Sequence, residues 1–283
     1  MKTTLLIDGD VLAYQSAFIA QTNFQWEEEL WTVQSDLAIA KEWIVDRLVS
    51  FKEKTNADDY ILAISDRNNF RRKLFPDYKA NRRSKFAPIG LKPIREWLDQ
   101  EYGTVIYPNL EADDVLAILA TERPDRNDER IIVSIDKDFK GVPCKFYDFN
   151  RDEMHEINEE EANAYHLMQT IAGDAVDGFK GVPGVGTVRA KRMLDDEGAT
   201  WATVMKAYEK AGLSEEDALT NAWMAYLIRK GQYNKKKKEL TYLWMPEEFT
   251  PAKKRNYSHI IHQVTGDLDE DLSRPKAFEP LNI

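Results

Sequence analysis

Leu5-Leu6-Ile7-Asp8-Gly9-Asp10, near the start of the 283-residue sequence, is an apolar run that ends in a carboxylate. The same pattern recurs in Ile61–Asp66 and in Ile131–Asp136. Such short apolar runs predict buried strands, and a further short strand is expected at 105–107. Segments with helical periodicity lie between the runs, at 37–54, 93–101 and 112–121. This alternation predicts an α/β fold with a central, mainly parallel sheet and helices on both faces.

The chain is expected to have three regions. Residues 1–158 form the α/β core, and residues 159–245 have a mostly helical pattern that predicts a subdomain packed on the sheet. Residues 246–283 contain several prolines and an acidic stretch at 267–271, which predict an irregular tail. The short apolar start, interrupted by Asp8, does not resemble a signal peptide or a membrane span, so we expect a soluble, cytoplasmic protein without a membrane partner.

The amino-acid composition limits which metals and which partners the chain can bind. A single cysteine and four histidines make a zinc cluster less expected than a hard cation bound by oxygen. The net charge of −10 is unusual for a protein that binds nucleic acid, but positive charge is concentrated locally. Eight basic residues lie between positions 67 and 85, at 67, 71, 72, 73, 79, 82, 83 and 85. A second basic run, Lys235–Lys238, fits a solvated face equally well.

Acidic residues follow the predicted strands or begin predicted helices. They are Asp8, Asp10, Asp66, Glu111, Asp113, Asp114, Asp136, Asp138, Asp174 and Asp177. Any one of them could be a helix cap or a turn residue. In such sheets, functional residues lie at the carboxyl ends of the strands, so we expect these acidic side chains to lie close together. Two Mg²⁺ ions about 4 Å apart would neutralise the set and form the clamp used for phosphodiester hydrolysis.

A second signal is the glycine-rich turn Gly181-Val-Pro-Gly184-Val-Gly186, followed by a basic segment that contains Arg189 and Lys191. Glycine permits a tight turn whose backbone N–H groups face a phosphate, and the next helix N-terminus adds favourable charge. Taken alone, the turn fits a plain connection between helices equally well. Its position just after Asp174 and Asp177 favours binding of a nucleic-acid backbone.

Together these motifs resemble the flap-endonuclease/5′-exonuclease family, and the likeness is greatest to the 5′–3′ exonucleases of T7-like bacteriophages. The matching motifs are Ile7–Asp10, Ser65–Asp66, Pro76–Arg82, Leu110–Asp114, Ser134–Asp138 and Gly173–Gly186. The resemblance implies a PIN-like 5′-nuclease core, a helical arch formed by the basic region 67–90, and a helix–three-turn–helix at 174–195 that grips DNA. It further implies a monomeric Mg²⁺-dependent enzyme, with Mn²⁺ as a substitute, that cleaves duplex DNA at 5′ ends, nicks or flaps. Cleavage of RNA–DNA hybrids stays open, and a phage-encoded enzyme would work in the bacterial cytoplasm.

The resemblance also implies roles for individual residues. One metal-binding group would contain Asp8, Asp66, Glu111, Asp113 and Asp136, and a second would contain Asp138, Asp174 and Asp177. Asp136 would bridge the two groups, and Asp10 would not be a direct ligand. Lys79 and Arg82 would contact the scissile phosphate. DNA contacts are expected from Arg71, Arg72, Tyr78, Lys79, Arg82, Arg83, Gly181, Gly184, Gly186, Arg189 and Lys191, and K⁺ would bind carbonyls near Val182 and Val185.

Two other functions compete with this interpretation. Asp8-Gly-Asp10 after a first strand also fits a haloacid-dehalogenase-type phosphatase, with Ser65 in its second motif. That alternative leaves the basic segment and the glycine turn unexplained. A catalytically silent protein that binds DNA structures would keep the fold and the turn, but the intact carboxylate set argues against it.

Overall fold

The central sheet has five strands. They are β1 (Lys2–Asp8), β4 (Asp59–Ala63), β5 (Asp128–Ser134), β6 (Lys145–Asp148) and β7 (Glu153–Glu156). The computed structural model describes residues 2–80, 86–122, 127–257, 259–260 and 264, and places the strands in the order β4-β1-β5-β6-β7. The first four strands are parallel, and β7 pairs antiparallel with β6. The predicted mainly parallel sheet is confirmed.

Helices surround this sheet. They are α1 (Gly9–Ile19), α2 (Leu37–Thr55), α3 (Arg71–Leu74), α4 (Leu91–Tyr102), α5 (Ala112–Glu122), α6 (Glu159–Ala172), α7 (Thr187–Glu197), α8 (Trp201–Lys210), α9 (Glu215–Ala225) and α10 (Pro251–Asn256), with a 3₁₀ helix at Lys137–Gly141. Several begin where the sequence supplies a cap. Asn158 and Glu161 form a reciprocal capping box at the start of α6, and Ser214 and Asp217 form another at the start of α9.

Both faces of the sheet are covered because neighbouring side chains of a strand point to opposite sides. Leu5 and Ile7 of β1 belong to a core shared with α1, α2 and α4. Leu6, between them, belongs to a second core shared with α5 and with helices α6 to α9. The region after residue 158 therefore packs on the sheet through a continuous hydrophobic core, as expected, while the exact domain boundaries stay a prediction.

Two predicted elements differ in the structure, and one hairpin was not predicted. The strand expected at 105–107 is reduced to one bridge between Val105 and Ala63. The predicted helical stretch up to residue 242 contains a short hairpin of β10 (Tyr233–Asn234) and β11 (Glu239–Leu240), with exposed Lys235–Lys238 in its turn. A hairpin of β2 (Gln21–Gln25) and β3 (Trp31–Ser35), missed by the sequence analysis, follows α1.

The predicted arch lies only partly within the described residues, and the predicted tail is more ordered than expected. Of the arch at 67–90, the described part contains the four-residue helix α3 and a turn, while residues 81–85 lie outside the described residues. The tail is not irregular throughout, because it includes α10 and the buried side chains of Phe249, Ile260 and Val264. Among the described residues, no helix has the length and apolar character needed to span a membrane.

A buried histidine lies where the helical region meets its C-terminal part. His166 of α6 is 1% exposed, and its Nε2 lies 2.9 Å from the Ala222 carbonyl oxygen. Its ring contacts Trp244 at 4.6 Å and Tyr226 at 5.0 Å between ring centroids. Burial lowers the pKa of His166 to about 4, because the charged ring would lose its water, although the bond to Ala222 opposes this effect.

This histidine should make stability depend on pH. As the pH falls below 6.5, the unfolded chain binds a proton on this ring before the folded protein does, so the free energy of unfolding falls until the pH passes about 4. The full loss is about 3 kcal/mol. His166→Gln keeps an N–H donor for Ala222 and should lack this loss. Urea unfolding of both proteins between about pH 7 and pH 4 measures the difference, and identical pH dependence would contradict it.

Candidate active site

The carboxyl ends of β1 and β5 bring two acidic residues together. Asp8 is 2% exposed, and its oxygens accept hydrogen bonds from the Val11 N–H at 3.0 Å and the Ser134 hydroxyl at 2.8 Å. Asp136 follows β5 and caps the 3₁₀ helix through the Asp138 N–H. Burial raises the pKa of Asp8 to about 7, and the negative charges of Asp10 and Asp136 contribute to the rise.

The start of α5 contributes Glu111 and Asp113 to the same place. The two residues line a cleft of about 280 Å³ together with Asp8, Asp10, Tyr14, Ser65, Lys79 and Asp136, among others. The pKa of Asp113 is raised well above its usual value by burial and by the charges of Asp8 and Asp136. Negative charge on three separate elements therefore meets in one cleft.

A second acidic group lies beside the first. The pKa of Asp138 is raised to about 7 by burial and by the charges of Asp136 and Asp177. Gln169 donates a hydrogen bond to Asp138 at 2.6 Å, and Lys137 donates to Asp174 at 3.0 Å. Burial alone would raise the pKa of Asp174, but the Lys137 contact and nearby backbone N–H groups lower it below its usual value.

Lys79 connects the predicted arch to both groups. Its Nζ lies 2.7 Å from Glu111 Oε1 and 3.7 Å from Asp177 Oδ1, and its backbone N–H donates to the Asp177 carbonyl at 2.8 Å. Burial would raise the pKa of Glu111, but Lys79 and Arg71 outweigh it and lower that pKa to about 2. A buried ammonium group is thus held at the wall of the cleft.

The predicted metal ligands are therefore mostly brought together, with one exception. Asp8, Glu111, Asp113 and Asp136 line the cleft, and Asp138, Asp174 and Asp177 adjoin it. Asp66 instead lines a neighbouring cavity of about 560 Å³. Its two oxygens accept the backbone N–H groups of Arg67 at 2.7 Å and Asn109 at 2.8 Å. Asp66 therefore stabilises a turn beside the cleft, and its role as a metal ligand stays a prediction.

Two predicted DNA contacts are also corrected. Arg71 is 1% exposed and forms a bidentate ion pair with Asp114, at 2.7 and 2.8 Å. Tyr78 is 2% exposed, and its hydroxyl donates to Glu111 at 2.7 Å. Both side chains are enclosed by protein and cannot reach a nucleic acid in this conformation. Arg72 is exposed, while Arg82 and Arg83 lie outside the described residues.

Some contributing residues were missed by the sequence analysis. Ser134 and Lys137 lie within or beside the Ser134–Asp138 motif, so their proximity to Asp136 could have indicated a role. Arg95 gave no such signal, because it lies on an ordinary amphipathic helix. Its Nη2 is 3.3 Å from Asp10 Oδ1, so the Asp10 carboxylate already has a cationic partner within the protein.

The glycine turn forms a compact hairpin between α6 and α7. A Cβ on Gly181 would lie 2.2 Å from the Ile171 carbonyl oxygen, so the two backbones touch there. Gly184 has a φ of +73° and an open surface around it. Helix α7 begins at Gly186 without a side-chain cap. Arg189 is exposed beside this helix start, whereas Lys191 is paired with Asp195 at 2.7 Å.

Pairing with basic side chains divides the acidic residues into two classes. Asp10, Glu111, Asp114, Asp174 and Asp177 have an arginine or lysine partner. Within the described residues, Asp8, Asp113, Asp136 and Asp138 form no ion pair. Among the described residues, no three acidic, histidine or cysteine side chains are placed so that they could hold a metal ion without rearrangement. Uncompensated carboxylate oxygens are the ligands that Mg²⁺, Mn²⁺ and Ca²⁺ prefer, and the residues fit such ions.

Comparisons with known proteins agree with this arrangement. Residues 3–165 match the family described as 5′-3′ exonuclease, N-terminal resolvase-like domain. The chain is 32% identical over 284 residues to the exodeoxyribonuclease of Enterobacteria phage T3, covering 87% of this chain and 93% of that protein. It is 32% identical over 287 residues to the exonuclease of Escherichia phage T7, covering 87% and 94%.

The fold is confirmed by a solved structure of the T5 D15 protein co-crystallised with metal ions. The two structures superpose with a TM-score of 0.62 at 17% sequence identity, and the match covers 80% of this chain and 90% of that one. The family match spans more than half of the chain and contains the carboxylates at the ends of β1 and β5 and at the start of α5. The chain belongs to the 5′-3′ exonuclease family and is a 5′-3′ nuclease.

Proposed function

We propose that this nuclease hydrolyses phosphodiester bonds at the 5′ ends of duplex DNA, including nicks and flaps, with two bound Mg²⁺ ions that Mn²⁺ can replace. The observation that supports it is a cleft in which carboxylates without counter-charge lie beside a buried lysine. Such a cleft attracts divalent cations and can still present a positive group to a phosphate.

The two neighbouring acidic groups, one lining the cleft and one beside it, suggest which residues hold the ions. Asp8, Glu111, Asp113 and Asp136 would hold the first ion, and Asp136, Asp138, Asp174 and Asp177 would hold the second. When bound, the two ions activate water and neutralise the oxygens of the phosphate. Ser134 orients Asp8 through its hydroxyl, and Gln169 orients Asp138 through its amide.

Lys79 has a separate task in this proposal. Its contacts with Glu111 and Asp177 fix the ammonium group before substrate arrives. A donor that is already in place stabilises the charge that develops on the phosphate without reorganisation. Arg82 would assist from the same segment.

The hairpin at 181–186 would bind the DNA backbone away from the cleft. The uncapped start of α7 offers backbone N–H groups, and Gly184 allows close approach of a phosphate. Arg189 and Lys191 add positive charge, and Arg72 and Arg83 would extend the contact along the arch. The carbonyls near Val182 and Val185 would bind K⁺.

The proposal also covers the range of substrates, the oligomeric state and the place of action. Contacts to phosphate read neither the base nor the sugar 2′-hydroxyl, so RNA–DNA hybrids are included in the proposal. One chain carries both the cleft and the hairpin, which supports a monomer acting in the cytoplasm of a bacterial host. The phosphatase alternative leaves the basic segment at 67–85 and the glycine turn at 181–186 without a role.

The central test concerns the metal. Cleavage of a 5′-labelled nicked duplex should require Mg²⁺ or Mn²⁺ and stop in excess EDTA, while duplex binding continues because the proposed phosphate contacts at 181–186 do not use the carboxylates of the cleft. Asp136→Asn keeps the cap of the 3₁₀ helix and should slow cleavage roughly a hundredfold or more.

Asp148→Asn is the matched control for this variant. Asp148 ends the neighbouring strand β6 and accepts the Asn150 N–H at 3.0 Å, outside the cleft. It should retain nearly full activity. Cleavage in EDTA, or equal loss in the two variants, would contradict the metal assignment, and release of nucleotides from the 3′ end would contradict the proposed polarity.

A second test addresses Lys79. Lys79→Met removes the charge with little loss of volume and should lower the single-turnover rate roughly a hundredfold, as expected for one preorganised donor. Affinity for duplex DNA, titrated in Ca²⁺, should change far less. Lys79→Arg restores a positive charge and should recover part of the rate. If duplex affinity and the single-turnover rate fall by the same factor, Lys79 contributes to DNA binding and not to the chemical step.

A third test addresses the hairpin. Gly184→Val places a β-branched residue at a φ of +73°, which costs about 1–2 kcal/mol, and should weaken duplex binding roughly tenfold. Gly212→Val is the control, because Gly212 has a φ of +74°, a similarly open surface and a position between α8 and α9. Fluorescence anisotropy in Ca²⁺ compares the two. If the two variants bind duplex DNA with equal affinity, the glycine turn only connects α6 and α7.

A further inference from the structure

Arg95 of α4 separates the catalytic cleft from the neighbouring cavity. Its Nη2 donates to the Ser65 carbonyl at 2.7 Å and lies 3.3 Å from Asp10 Oδ1. Ser65 lines both spaces, whereas Asp10 lines the cleft and Arg95 lines the cavity. The guanidinium group therefore reaches Asp10 from behind the catalytic surface.

Asp10 depends on this contact for its charge balance. Its Oδ2 accepts the Ser65 N–H at 2.9 Å. Its Oδ1 is buried and accepts no hydrogen bond within the described residues, so the nearby guanidinium supplies its compensation. Removing one partner of such a contact leaves the other charge unbalanced, and that charge will turn toward any available cation.

The contact also joins elements that carry catalytic groups. Asp10 lies in the first turn of α1, two residues after Asp8 at the end of β1. The Ser65 hydroxyl accepts the N–H of Ala112, the first residue of α5, at 2.9 Å. A chain of contacts thus runs from Arg95 through Asp10 and Ser65 to the helix that carries Asp113.

We propose that Arg95 is a positioning residue that holds the Asp10 carboxylate against Ser65 and keeps it out of metal coordination. The inference rests on the proposed metal-dependent function. Without Arg95, Asp10 would face the same cleft as Asp8, Asp113 and Asp136 as an additional oxygen ligand. The ions would then be bound more tightly, in an arrangement less suited to the reaction.

The test measures metal binding directly. Arg95→Met should lower the dissociation constant for Mn²⁺, measured by electron paramagnetic resonance without DNA, about tenfold or more, because a free carboxylate beside a divalent ion is strongly attractive. Lys92→Met is the matched control, since Lys92 lies on the same helix with 79% of its side chain exposed. Solvent and salt screen this charge, so its removal should change the constant less than about twofold.

A second measurement separates coordination from the simple loss of positive charge. Water-proton relaxation reports the number of exchangeable waters on bound Mn²⁺. In Arg95→Met this number should fall by about one as Asp10 replaces a water, and it should return to the wild-type value in the double variant Arg95→Met with Asp10→Asn. Arg95→Lys keeps a cation beside Asp10 and should resemble the wild type.

Cleavage provides the functional readout. Single-turnover rates at saturating Mg²⁺ should fall about tenfold in Arg95→Met, while duplex affinity in Ca²⁺ stays unchanged. The inference would be overturned if Arg95→Met kept the wild-type number of waters on bound Mn²⁺. It would also be overturned if this variant bound Mn²⁺ more weakly and cleaved more slowly than the wild type. Failure of the wild-type protein to bind Mn²⁺ would instead overturn the proposed metal-dependent function, so the two failures are distinguishable.

Discussion

Negative charge at the carboxyl edge of the parallel sheet is the constraint on which the rest of the structure depends. Repulsion between buried carboxylates is large, because the protein interior screens charge poorly. The fold balances part of this charge with buried or half-buried cations: Arg71 pairs with Asp114, Lys79 with Glu111, and Arg95 with Asp10. The charge left unbalanced is confined to the cleft, where a metal ion and a phosphate can meet.

The sequence was sufficient to predict the sheet and most of the carboxylate cluster, because both follow from local patterns. Apolar runs fix the strands, and the residue after each parallel strand must lie at the same edge. The ion pairs were not predictable in this way. Arg71 and Asp114 are 43 residues apart, and nothing in the basic segment distinguishes the buried Arg71 from the exposed Arg72. The position of Asp66 in the neighbouring cavity was not predictable for the same reason, since its N–H donors include Asn109 from a distant loop.

The cleft and the hairpin are coupled through the base of the arch. The Lys79 N–H donates to the Asp177 carbonyl, and Gly178 lies against the Asp77 carbonyl so closely that a Cβ would be 3.1 Å away. Asp177 also contacts the Lys79 ammonium group. The segment at Asp177 and Gly178, which leads into the glycine hairpin, thus shares contacts with Lys79 at the wall of the cleft.

Buried ion pairs contribute little to stability by themselves, because desolvation offsets their attraction. Their presence around this cleft is better explained by geometry. Replacing Arg71 and Asp114 with apolar residues could preserve the core, but Arg71 also lies 3.6 Å from Glu111 and supports its ionised state. The pairs determine which carboxylates are neutralised by protein and which stay available, and that distribution of charge gives the site its chemistry.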